Sequence, residues 1–108
     1  MAGLIIAEEQ FDLADTSEKL VMRIYAPVLD QGTTWACRVE LGPPFDVDRN
    51  IYGEGSLQAL ALGLKHVASV LYGTTPWREG KLGLYGEFGG YLGVPAPTSY
   101  LDFAPFPF

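Results

Sequence analysis

The feature that most constrains this chain is a change of hydrophobic period just before residue 56. Upstream, Leu20, Met22 and Ile24 alternate with Val21, Arg23 and Tyr25. Trp35, Cys37, Val39 and Leu41 likewise alternate with Thr34, Arg38 and Glu40. A period of two is that of a strand with one buried face. Downstream, Leu57, Leu60, Ala61, Leu64, Val67, Ala68 and Leu71 recur at three- and four-residue spacing, the stripe of an amphipathic helix. A chain that runs through strands first and then a covering helix is restricted to an α+β layout.

Two further strands complete the first half. An apolar run from Leu4 to Ala7 ends at Phe11 and Leu13 before the turn cluster Asp15-Thr16-Ser17. Phe45, Val47 and Ile51 alternate with Asp46, Asp48 and Asn50, which predicts a fourth strand with a solvated acidic face. Asp30-Gln31-Gly32 and Gly42-Pro43-Pro44 supply the breaks between strands. The expected fold is therefore an antiparallel sheet of four to five strands with one long amphipathic helix, Ser56 to Leu71, packed on one face. Ser56 is the expected N-cap and Gly73 the expected left-handed terminator. The helix face opposite the stripe carries Gln58, Lys65, His66 and Ser69, but Ala59, Leu62, Gly63 and Val70 are interleaved. Something else is expected to pack on it.

After Tyr72 the pattern loses its period. Six glycines fall between residues 80 and 93, with Leu82, Leu84, Tyr85, Phe88, Tyr91 and Leu92 between them. The stretch lacks proline and is too short for collagen, so it reads as a short strand or bent loop with close backbone approach. Residues 1–95 are read as a single domain and residues 96–108 as a Pro- and Phe-rich tail. Nine of the fourteen aromatic residues lie from Tyr72 onward. A tail so rich in aromatics is expected to dock from Tyr100 to Phe108, either on the second helix face at Leu62 and Val70 or on another copy of the chain.

Composition removes several classes of function. Thirteen acidic against seven basic residues leave a net charge of -6, which is unsuited to a phosphate backbone. No apolar stretch reaches the roughly 18 residues of a membrane span, and the N-terminus has no basic region of a signal peptide. One cysteine forms no internal disulfide. These points predict a soluble cytoplasmic domain that binds neither nucleic acid nor membrane.

Candidate chemistry is sparse. Alternation puts Cys37 on the core face, where a thiol is structural rather than reactive. His66 lies on the outer helix face, with no histidine or acidic residue three or four positions away to share a metal. Gly53-Glu54-Gly55-Ser56 lacks the lysine and the glycine spacing of a phosphate loop, and reads as a cap. Asp46 and Asp48 fall short of a calcium site by themselves. The expectation is no catalytic set, no cofactor and no metal.

The segment Ile51-Tyr52-Gly53-Glu54-Gly55-Ser56-Leu57-Gln58-Ala59-Leu60 resembles a family of small bacterial single-domain proteins of unknown function. In that family a strand ending in glycine turns into a helix opening Ser-Leu-Gln-Ala-Leu. Gly90-Tyr91-Leu92-Gly93-Val94-Pro95 is similar to the family's closing Gly-x-Leu-Gly-Phe-Pro segment, with Val94 in place of the aromatic. The resemblance spans about residues 5–95 and implies an α+β domain with no established activity. Size, charge and architecture also look like those of immunity proteins that neutralise bacterial toxins, an analogy at the level of fold.

The leading functional expectation is a non-catalytic protein-binding module that meets a basic partner through acidic strand positions. Its candidate partner-binding residues are Asp46, Asp48, Trp77, Tyr85, Phe88, Tyr91, Phe103, Phe106 and Phe108. A second expectation is self-association as a homodimer through the outer helix face and the tail. A third is a small-ligand site or enzyme with walls of Trp77, Tyr85, Phe88 and Tyr91.

Overall fold

The computed structural model describes residues 3–94. Among these residues seven strands form one antiparallel sheet: β1 (Ile5–Leu13), β2 (Lys19–Tyr25), β3 (Val28–Gln31), β4 (Thr34–Leu41), β5 (Val47–Glu54), β6 (Leu82–Leu84) and β7 (Glu87–Phe88). Two helices, α1 (Ser56–Tyr72) and α2 (Thr75–Arg78), lie between β5 and β6. Architecture and antiparallel sense are those expected, but the strands number seven rather than four to five.

The extra strands have two origins. β2 and β3 both pair with the same side of β4, β2 through Met22–Ile24 and β3 through Val28–Gln31. Pro27 has no N–H to give the ladder, so one long strand is split in two. The Cys37 thiol donates to the Tyr25 carbonyl at 3.4 Å, beside this break. With β2 and β3 counted as one, β1 to β5 form an antiparallel meander. The other origin is the glycine-rich segment, which forms the β6–β7 hairpin and pairs with β1 at Asp12 and Leu13. A Cβ on Gly83 would fall inside the backbone of Glu87 and Phe88, so glycine is required where these strands close.

The fourth strand starts later than the alternation predicted. Asp46 sits in the turn before β5 with φ 51°, off the strand face assigned to it. Register in β5 then follows the expected parity, pairing Cys37 with Ile51 and Glu40 with Asp48.

Helix α1 has the expected span and a different inward face. It lies across β4 and β5 and buries Ala59, Gly63, Val67, Ala68, Leu71 and Tyr72. Leu57, expected in the core stripe, is 77% exposed, and Ala61 is exposed beside it. Small residues explain the rotation. A Cβ on Gly53 would come within 2.5 Å of the Ala59 nitrogen, and one on Gly63 within 3.1 Å of Cys37 Sγ. The helix seats where Ala and Gly allow closest approach, which maximises dispersion contacts, and Leu57 is left outside. The helix ends also differ from expectation. Gly55, with φ 106°, is the N-cap rather than Ser56, and Gln58 Oε1 accepts from the Glu54 N–H. Gly73 is right-handed, with φ -86°. Termination falls to Thr74, whose hydroxyl donates to the Leu71 carbonyl and accepts from the Trp77 N–H.

The core runs from Phe11, Leu20, Met22 and Ile24 across Val39 and Leu41 to Leu71, Leu82 and Leu92. Tyr72 ties the end of the domain to it. Its hydroxyl donates to the Val94 carbonyl at 3.0 Å and accepts from the Leu92 N–H at 2.9 Å. Burial pushes its phenol up to about 12.

Candidate docking face

Helix α1 covers one side of the sheet, and among the described residues nothing covers the other. Residues paired across an antiparallel ladder project to the same side. Glu8, Arg23, Glu40 and Asp48 therefore stand in one row across β1, β2, β4 and β5 on the uncovered side. Val28, Ala36 and Tyr52 form a second row across β3, β4 and β5. The face has a charged end and an apolar end.

The charged end is internally paired. Arg38 grips Asp48 through two hydrogen bonds of 2.9 and 2.8 Å, a fork-on-carboxylate geometry. Its guanidinium carbon also lies 4.5 Å from the Tyr25 ring centroid, a cation–π contact. The Tyr25 hydroxyl donates to Glu40 at 3.0 Å, while Arg23 bridges Glu8 at 2.6 Å and Glu40 at 3.4 Å. Lys19 pairs with Asp12 farther along. The Arg38 hydrogen bonds hold the Asp48 carboxyl below the usual carboxylate range and push the guanidinium up in turn. Burial, then Glu40, raises the Tyr25 phenol. Each charge holds its neighbour in place, so the cluster is a pre-organised surface rather than a set of loose side chains.

The apolar end is a trough. Val28 and Tyr52, 53% and 52% exposed, flank the small and buried Ala36. Beside them opens a hollow of about 490 Å³ bounded by Tyr25, Val28, Ala36, Arg38 and Asn50. Its lining is mostly apolar, with the Arg38 cation, the Asp30 carboxylate and the Asn50 amide among it. That suits an inserted side chain better than bond-breaking.

The sequence-predicted residues are dispersed. Asp46 and Asp48 meet at a second hollow of about 390 Å³ that also includes Arg23, Glu40 and Pro43. Asp48 contributes little free negative charge there, because Arg38 engages both its oxygens. Trp77 is 5% exposed, stacked edge-on against Tyr72 with centroids 5.1 Å apart, and its indole N–H donates to the Gly90 carbonyl. That removes it from any solvent-facing wall, and its role is packing. Tyr85 is exposed at the β6–β7 turn and donates to Glu9 at 2.8 Å, which raises its phenol. Phe88 is half-buried in β7, and Tyr91 is exposed in the segment after it. Phe103, Phe106 and Phe108 lie outside the described residues, as does the expected docking of the tail on Leu62 and Val70.

Residues that carry the uncovered face had a weak signal in the sequence. Arg23, Arg38 and Glu40 fall on the solvent parity of their strands, but pairing between strands depends on register that alternation alone does not specify. Val28 was hidden by the break at Pro27. Cys37 lies in the core with its thiol pushed up by burial. His66 is half-buried on α1. Among the described residues, no three of His, Cys, Asp and Glu gather as a metal-ligand group, and no helix is long and apolar enough to cross a membrane.

No curated protein and no solved structure matches this chain. A family match covers residues 7–96, from within β1 to just past the Tyr72-anchored segment. Those residues contain nearly the whole sheet, both helices and the uncovered face. The chain belongs to the family described as a domain of unknown function, DUF6968.

Proposed function

We propose that this domain is a non-catalytic, cytoplasmic protein-binding module that docks through the uncovered face of its sheet. The observation that carries the reading is the pair of half-exposed side chains, Val28 and Tyr52, around buried Ala36, set beside a charged cluster whose members are already held. Aromatic and aliphatic side chains around a small central residue accept a partner's anchor, and a fixed polar margin supplies orientation. In its toxin-neutralising form, the net charge of -6 attracts a basic partner from a distance. Asp46 and Asp48 then orient that partner rather than supply the bulk of the attraction. The test is affinity capture from source cells by the wild type and by a Val28→Glu, Tyr52→Glu double variant. A specific partner is expected to be lost with the double variant and to bind more weakly as salt rises. Equal capture by both proteins would refute docking at this face.

A second reading, self-association, is favoured by exposed Leu57 and Leu62 on the outer side of α1. It requires a dimer at high micromolar concentration in sedimentation experiments that Leu57→Glu with Leu62→Glu dissociates.

A further inference from the structure

We propose that the hollow beside Val28 and Ala36 is a subsite for one basic side chain, a lysine or arginine of the docking partner, with the Asp30 carboxylate as its counter-charge. This rests on docking at the uncovered face and names the anchor that the partner inserts there.

The local backbone sets Asp30 apart. In the β3–β4 ladder Leu29 pairs with Trp35 and Gln31 with Thr34, so Asp30 is the extra residue of a β-bulge. A bulge takes a residue out of the ladder and re-aims its side chain. Asp30 borders the hollow of about 490 Å³ together with Tyr25, Val28, Ala36, Arg38 and Asn50. Among the described residues its carboxylate has no ion pair.

The other charge bordering the hollow is already answered. Arg38 gives two hydrogen bonds to Asp48 and lies 3.6 Å from Glu40. Arg23 in turn engages Glu8 and Glu40. Two guanidinium groups therefore meet three carboxylates before Asp30 is counted. An entering acid would compete with carboxylates fixed in place, whereas an entering cation finds a carboxylate without a partner. Complementary charge of this kind fixes register and rejects partners of the wrong sign.

Shape agrees with charge. Val28, Ala26 and Ala36 make much of the lining apolar, and Asp30 and Asn50 are exposed. Lysine and arginine lay an apolar stem along such a surface and keep the charged head at its wet margin. The Asn50 side-chain carbonyl can accept a further hydrogen bond from that head.

NMR titration of the full chain with n-butylammonium chloride, and separately with sodium butyrate at matched ionic strength, tests the sign of the anchor. Butylammonium is expected to give saturable shifts at the Val28, Asp30, Ala36 and Asn50 amides. Asp30→Asn should weaken that binding about three-fold or more and leave the rest of the spectrum unchanged. Butyrate binding as tightly as butylammonium, no saturable shift, or equal butylammonium affinity in Asp30→Asn would each overturn the proposal. Partner capture separates it from the docking reading. A partner lost with the Val28→Glu, Tyr52→Glu double variant but bound equally by wild type and Asp30→Asn leaves docking standing and overturns the anchor. A partner held equally by the double variant refutes docking at this face, and with it the assignment of the cation to a partner.

Discussion

The two faces of one sheet are held by different forces. The covered face is continuous apolar packing, sealed by a helix that comes close because Gly53, Ala59 and Gly63 present almost no side chain. The uncovered face carries Glu8, Arg23, Arg38, Glu40 and Asp48 in mutual contact, around a tyrosine that the Arg38 guanidinium covers. The first face sets stability, since burial is worth several times more per residue than an exposed ion pair. The second is the face proposed above for docking. A surface can be well ordered while contributing little to folding, and here the two jobs are divided between opposite sides of the same strands.

Substitutions should separate the faces sharply. Leu71→Ala, fully buried between helix and sheet, should cost about 2–5 kcal/mol in urea unfolding. A loss comparable to that of an exposed residue would mean that the helix does not seal this face. Gly53→Ala adds one methyl against the Ala59 backbone, where no side chain can swing aside, and should cost about 1–3 kcal/mol. A neutral result would show that α1 stands farther from β5. On the uncovered face, Arg38→Ala should cost far less than either in the same unfolding experiment, because Asp48 remains solvated and can rehydrate.

Acid should reveal the same pair. The Asp48 carboxyl is held below its ordinary value of 3.8, so the folded state binds its proton less readily than the unfolded chain does. Its contribution is present in full above that value and is lost as pH falls through the lowered one. Asp48→Asn should flatten this acid limb of the stability curve, and an unchanged limb would show that the pair is not formed in solution. The smallest effect belongs to Leu57→Ala. A leucine so exposed should change stability by no more than about 0.5 kcal/mol, whereas a loss above about 2 kcal/mol would restore it to the core.

Legibility followed the range of the interactions. The alternation at Leu20–Ile24 and Trp35–Leu41 marked real strands, because one buried face imposes its period locally. The glycine-rich stretch implies close backbone contact, and Gly83 shows it in the β6–β7 hairpin. Its attachment to β1 was hidden, since Asp12 and Gly83 are brought together by everything folded between them. The row Val28–Ala36–Tyr52 was hidden for the same reason, because it assembles from three strands. Residue type alone places Trp77 in a binding wall; the packing against Tyr72 shows it as core.

The amino-acid sequence by itself determined the α+β class, the principal strands, the extent of the helix and membership of its family. Each rests on a period or a motif contained within a few tens of residues. Tertiary structure alone decided which helix face turned inward and which acids kept their charge free. A helical stripe offers several apolar faces, and the choice went to the one where absent side chains let two backbones meet. An acidic residue shows its sign in the sequence, but register with a neighbouring strand brought Arg38 beside Asp48 and left this face paired rather than simply negative.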